Sequence, residues 1–542
     1  MKLNPNLLTS EETAFQELES SLNGTSAKGM YNPMQFVIRL REDINQALKS
    51  DGMSAEKIQA FSTYMHETIH WWQHVGSHLG FLTSLSYPAM AHSAHRDLKI
   101  MIEKGDKFKP LVNFDQIEFR ENGNTDNREL NSILNYYYDI QYAKLFILDN
   151  KYIEKISDNN RFFLCIGHCF HILWSTSLHI VSLSIDPDYS FLPKVNQWPE
   201  NFKKLADEKV IGFDIDSPNP ASTLGTKAIY EGQARFNQLQ YLAIAFHNQY
   251  AYEDFKKLGM LHGIYIEAFD FFLQTTEIER PADFNNPVIG LFLLLCDIAI
   301  NPVDGFPFDI THYESFIISN DPGMRFSLLC RAVKQDKNKW ATAVQNYSRD
   351  EYIDLSEELC SLIACMPPIC GSVIVAEWEN THESVKVLLK EESEMKYKAE
   401  NMEIRLFVSK YIRFQQDKLR YPQIFCWTGK SMTVEADQEL NLQLVESIFN
   451  KHQALFIDES DGVIKPILFE NCTEENIDAT FQLFYAHNTM HDMIFKWIKE
   501  KGEFKYDYQW LTNQHSEEDM KNWIRKNFKE VFNIFPEDLK VI

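Results

Sequence analysis

His66, Glu67 and His70 stand in the stretch Met65-His66-Glu67-Thr68-Ile69-His70-Trp71, the spacing written HExxH. On an α-helix, residues four apart lie one turn above each other, so both imidazoles leave the same face and can grip one ion. Neutral imidazole nitrogen suits zinc, and two such ligands leave room for a third protein ligand and a water. Glu67, about 100° around the helix from His66, reaches past the metal to that water as a general base. The alternative is two structural histidines that share a helical face by spacing alone.

The surrounding residues predict the helix that must carry this triplet, from about Ser54 to Leu79. Ile58, Phe61, Met65, Ile69, Trp72, Val75 and Leu79 recur at three- and four-residue steps as one apolar arc. Gln59, Ser62, Thr63, His66, His70, Gln73, His74 and Ser77 form a second stripe of small or hydrogen-bonding side chains, flanked by Trp71. A solvated face would carry Lys and Glu, so this stripe reads as the wall of a polar cavity.

A third ligand is expected from Glu231, in the start of a long helix from Thr226 to about His247. Gly232 and Ala234 follow it, and small residues let two helix backbones approach closely. A glycine inside a helix costs about 1 kcal/mol against alanine, so its presence wants such a reason. The alternative for Glu231 is an i, i+4 ion pair with Arg235 on a solvated face. Tyr230 and His74 are further candidates to support a ligand or touch substrate, although His74 is a poor ligand: three successive turns of one straight helix do not converge on a tetrahedral ion.

Asn285-Asn286-Pro287 opens another helix by the N-cap and N1-proline rule, and Asn301-Pro302 stops it. Within it, Leu293-Leu294-Leu295-Cys296-Asp297-Ile298 buries a carboxylate among apolar residues. A buried Asp needs a partner, and the free ring N–H of a metal-bound histidine is one; a helix-end cap is the other reading of Asp297. Arg325, at a turn into the next helix, either binds a substrate carboxylate or pairs with an acid.

With HExxH on a helix and a glutamate from a later helix, the chain resembles the zincin metallopeptidases, and within them the gluzincin branch. The metzincin extension is absent: His74 comes four residues after His70. The resemblance covers the two helices and extends to residues 34–335. It implies a zinc-dependent endopeptidase acting on an intracellular protein or peptide, with His66, His70 and Glu231 as metal ligands and Glu67 as general base. A metal-dependent hydrolase of a non-peptide substrate and a non-catalytic helical interaction protein remain the alternatives.

Composition bounds the rest. A chain of 542 residues with 44% hydrophobic and 13% aromatic content is folded and globular. Its net charge of −24 argues against nucleic-acid or anionic-membrane partners, which need a basic patch. The longest apolar run, Val288 to Ile300, falls short of the about 20 residues that span a bilayer. Nine scattered cysteines and no apolar core in Met1 to Asn6 point to reduced thiols and a cytoplasmic location. An unrestrained cytoplasmic protease must be held in check by narrow specificity, a closed cleft or a regulatory protein partner.

The expected fold is predominantly α with a small β component (α+β). Residues 1–30 read as a leader, 31–375 as a zincin-like domain, and 376–542 as a C-terminal α+β domain used in recognition or regulation, with the break near 371–384 after Met366-Pro367-Pro368. Met34 to Arg41 alternates apolar and charged residues as a half-buried strand, either an edge that pairs with an extended peptide or an ordinary structural strand. A long helix is expected from Glu383 to Gln415, and a hairpin around Glu459-Ser460-Asp461-Gly462. Cys165, His168 and Cys169, and the pair His487 and His491, read mainly as residues of buried or amphipathic helices.

Overall fold

The computed structural model describes residues 2–8, 28–123, 126–149, 160–433, 440–459, 462–467 and 472–542. Most of the leader expected over residues 1–30 and the tip of the expected 459–462 hairpin lie outside them. The described chain is mainly helical with a small sheet. Among the described residues, no helix is long and apolar enough to cross a membrane.

The helix that carries the triplet runs from Ala55 to Trp71, with the Ser54 hydroxyl capping its first turn by accepting from the Lys57 N–H at 3.1 Å. It does not continue unbroken to Leu79. A π-helical turn occupies Trp72–Gly76, and Ser77 then caps a second helix, His78–Lys104. Glycines permit this close passage: a Cβ on Gly76 would meet the Phe414 ring at 2.8 Å, and one on Gly80 would meet the Gln73 carbonyl oxygen at 1.7 Å. The apolar arc packs as expected. Trp72 lies against Phe414, Phe425 and Phe449, with ring centroids 5.1–6.1 Å apart.

Further helices lie at Arg128–Leu148 and Ile166–Ile185, and the helices expected from Thr226 and from Pro287 form at Thr226–Ala245 and Pro287–Ile300. The last has Asn286 as its cap, its side chain accepting from the Val288 N–H at 3.0 Å. The long helix expected from Glu383 to Gln415 is two, Glu383–Glu394 and Met402–Arg420: Met395, in a left-handed conformation, ends the first, and Asn401, also left-handed, stands before the second.

The sheet corrects two expectations. Its strands run in the order Gly29–Asn32, Val37–Leu40, Phe456–Asp458, Ile464–Pro466; the outer pairs are antiparallel and the central pair is parallel. The strand read as Met34 to Arg41 begins only at Val37, since Asn32 folds the chain into a turn by accepting the N–H groups of Met34 and Gln35. Val37–Leu40 is therefore interior, and the edge beside the triplet helix is Gly29–Asn32.

The second correction concerns domains. A break at 375/376 falls inside the helix Pro368–Thr381. Phe456–Asp458 from the C-terminal third completes the sheet begun by Val37–Leu40. One continuous cluster of buried apolar side chains runs from Leu3 to Leu539. The C-terminal segment is built into the same core instead of packing separately.

Candidate metal centre

The polar stripe of the Ala55–Trp71 helix is enclosed: Gln59, Ser62, Thr63, His66 and Glu67 are all buried. The Thr226–Ala245 helix packs across it, tied by the Gln238 amide to the Ser62 hydroxyl at 3.2 Å and by Tyr241 against Phe61, with ring centroids 5.5 Å apart. Gly232 is not at this crossing. A Cβ there would meet Phe292 at 3.2 Å and Ala268 at 3.4 Å, so the glycine admits the helices behind. Glu231, Ala234, Gln238 and Tyr241 share the stripe that faces the histidines by helical spacing.

The crossing brings three ligating atoms together. His66 Nε2 and His70 Nε2 are 3.1 Å apart, and Glu231 Oε2 lies 3.6 Å from the first and 3.3 Å from the second. A tetrahedral ion with bonds of about 2.0–2.1 Å sets its ligand atoms about 3.3 Å apart, so the donor set and its spacing fit zinc. These residues are the cluster of possible metal ligands found among the described residues. The alternative pairing of Glu231 with Arg235 does not form; the carboxylate faces the imidazoles, and Arg235 turns to Gln238 and Tyr265.

Burial and mutual charge shift the titration of the four groups gathered here. Burial pushes His66 down to about 3. Burial also opposes a charge on His70, but the Glu231 carboxylate, with Glu67 and Gln73, lifts it to about 9. Glu231 is in turn held well below the usual carboxylate range by the two imidazoles, against its own burial. Glu67 is raised to about 7 by burial, with the His70 charge opposing.

Behind the imidazoles, Gln73 takes the role sequence reasoning sought in Asp297. Its amide nitrogen donates to the Tyr230 carbonyl and to Gln233 Oε1, each at 2.9 Å, so its oxygen is the atom that faces His70 Nδ1 at 2.7 Å. His70 Nδ1 is therefore the donor, and Nε2 is the atom directed at Glu231. His66 Nδ1 is buried with no hydrogen-bond partner among the described residues. Asp297 sits farther back, across a small cavity lined by Gln73, Gln233, Asn301 and Lys418. Its carboxylate is taken by Lys418 at 2.8 Å, the Tyr352 hydroxyl at 2.6 Å and Asn301 at 3.2 Å, and it bonds neither imidazole.

The remaining candidates divide. Tyr230 is adjacent but turned to the scaffold, its hydroxyl donating to the Gln73 carbonyl at 3.3 Å. His74 falls on the π-turn and leaves the ligand face; its ring packs between Tyr31 and Tyr230, with centroids 5.5 and 5.3 Å away. Arg325 is remote. It donates to the Ile298 and Ser319 carbonyls at 3.0 and 3.2 Å, tying helix ends together.

Three features escaped the sequence reading. The edge strand passes directly over Glu67: its carboxylate receives the Tyr31 backbone N–H, and a Cβ on Gly29 would meet Glu67 Cγ at 2.8 Å and Oε1 at 2.9 Å. Arg235 and Tyr265 close the far side of the same recess. The only sequence signal for Arg235 is its place one turn beyond Glu231. No protein-family model, curated protein or solved structure matches the chain.

Proposed function

We propose that the chain is a zinc-dependent peptidase of the HExxH type, similar to the gluzincins, cleaving peptide bonds in a protein or peptide substrate. The observation that carries this reading is the mutual spacing of His66 Nε2, His70 Nε2 and Glu231 Oε2, at 3.1–3.6 Å, beside a buried glutamate that is not itself a ligand. His66, His70 and Glu231 would hold the ion. When bound, zinc polarises the scissile carbonyl and makes water a nucleophile near neutral pH.

The chain's own residues supply the rest. Gln73 fixes the His70 ring so that Nε2 is the ligating atom. Glu67, raised to about 7 by burial, takes a proton from the attacking water and returns it to the leaving amine, a pKa suited to a group that must both accept and donate near neutrality. Gly29–Asn32 is the edge strand over Glu67 among the described residues, and an extended peptide would add to its outer side. A cytoplasmic setting rests on the nine scattered cysteines, none of them in a disulfide.

The test joins metal analysis to turnover. Purified protein should hold about one zinc per chain and degrade unfolded protein, and Glu67→Gln should keep the metal and lose hydrolysis by a factor of at least about 100. Protein that takes up no zinc overturns the metal reading. Zinc-loaded protein that leaves peptides intact but hydrolyses another class of substrate overturns the peptidase reading.

A further inference from the structure

Arg235 is 2% exposed, yet no carboxylate among the described residues lies within 4.0 Å of its guanidinium. A buried cation is costly unless paired, and this one stands in a chain of net charge −24. Its position is fixed on two sides. Nη1 donates to Gln238 Oε1 at 2.6 Å, and Gln238 is anchored to Ser62. The guanidinium carbon lies 4.0 Å from the centroid of the Tyr265 ring, which covers one face. Among the described residues, the edge formed by Nε and Nη2 meets no acceptor, and Nε is buried without a hydrogen bond.

That edge belongs to a recess whose lining also includes Lys28, Gly29, His66, Glu67, Gln238 and Tyr265. The recess thus contains a ligand of the candidate metal centre, the candidate base and a preoriented guanidinium. Two parallel N–H donors in one plane match the two oxygens of a carboxylate, which an arginine binds side-on with charge-assisted hydrogen bonds. Glu67 does not fill this role. It sits in the same recess but takes its hydrogen bond from the Tyr31 backbone.

We propose that Arg235, held by Tyr265 and Gln238, is the anchor for a carboxylate on the substrate, placed next to the bond to be cleaved. The inference rests on the peptidase reading for the word substrate, but the anchor itself binds a carboxylate whether or not hydrolysis follows. The carboxylate is either the C-terminal group of a peptide or the side chain of an Asp or Glu near the scissile bond.

The test uses small uncleavable ligands on zinc-loaded protein by titration calorimetry. N-acetylglycine against N-acetylglycinamide probes the C-terminal source; N-acetylaspartate α-amide against N-acetylasparagine α-amide probes the side-chain source. Wild type should prefer the acid of at least one pair by about tenfold or more, and the pair that shows it identifies the source. Arg235→Met should abolish the preference with zinc content unchanged, which separates the anchor from direct binding of the acid to the metal. If Arg235→Met does not fold, Arg235→Lys, which keeps the charge and loses the two-pronged edge, should reduce the preference several-fold. No acid preference in wild type, or one that persists undiminished in the variants, overturns the proposal. Absence of hydrolysis with the preference intact overturns only the peptidase reading.

Discussion

Gln73 and His70 are only three residues apart, yet the 2.7 Å bond from His70 Nδ1 to the Gln73 side-chain oxygen depends on a π-turn and on a second helix. The turn swings Gln73 inward, and the Tyr230 carbonyl and Gln233 settle which end of its amide faces the imidazole. Gln73→Leu should therefore weaken zinc binding by about 10–100-fold, the usual effect of removing the group that orients a ligating histidine. Competition with a chelator of known affinity measures it. Unchanged affinity would show that packing alone holds the ring.

Glu231 ties the two helices through the candidate metal centre. Glu231→Gln removes the charge with little change of shape, and zinc affinity should fall at least about tenfold, while His66→Ala and His70→Ala should each abolish stoichiometric zinc. Metal analysis after gel filtration reads all three. Full zinc in Glu231→Gln would return that carboxylate to a structural role.

Gly29 lies against Glu67, the proposed base, and not against the three candidate ligands. A methyl group there would strike Glu67 Cγ and Oε1, at 2.8 and 2.9 Å, so Gly29→Ala must displace either the strand or the base. The expected outcome is a loss of kcat of at least about tenfold, the scale of a misplaced base, with zinc content intact. Wild-type turnover in Gly29→Ala would mean that the edge strand yields without disturbing Glu67.

A separate cluster supplies a pH dependence of stability. Against burial, the His487 and His491 imidazoles hold the Glu403 carboxyl down at about 2, and His487 is raised by the same carboxylate, also against burial. A depressed acid stabilises above its ordinary 4.5 and loses this as pH falls toward 2. A raised histidine stabilises below its ordinary 6.5 and loses this as pH climbs through its shifted value. The pair therefore contributes fully between about pH 4.5 and 6.5. Glu403→Gln should cost on the order of 1–3 kcal/mol near pH 5.5 and less at pH 8.5, read from denaturant midpoints. An equal or larger loss at pH 8.5 would contradict the assignment.

Whatever depends on local repetition is legible in the amino-acid order. The His66–His70 spacing puts both imidazoles on one helical face, the apolar arc from Ile58 to Trp72 identifies the buried side, and Ser54 and Asn286 announce helix starts. Glu231 was legible as a candidate because an acid beside a glycine in a helix is conspicuous, although the glycine proved to serve Phe292 and Ala268. The crossing of the two helices is what turns the Glu231 carboxylate to the imidazoles and away from Arg235, because the local spacing alone allows either arrangement. The tertiary structure also gave Asp297 to Lys418 and Tyr352, turned His74 away on a π-turn and placed Gly29 against Glu67. The strand pairing of Val37–Leu40 with Phe456–Asp458 joins segments that the chain separates by most of its length. Hydrophobic periodicity names the face that each element buries, but not the partner that buries it, which is why Asp297 and the strand Val37–Leu40 take partners that the sequence does not announce.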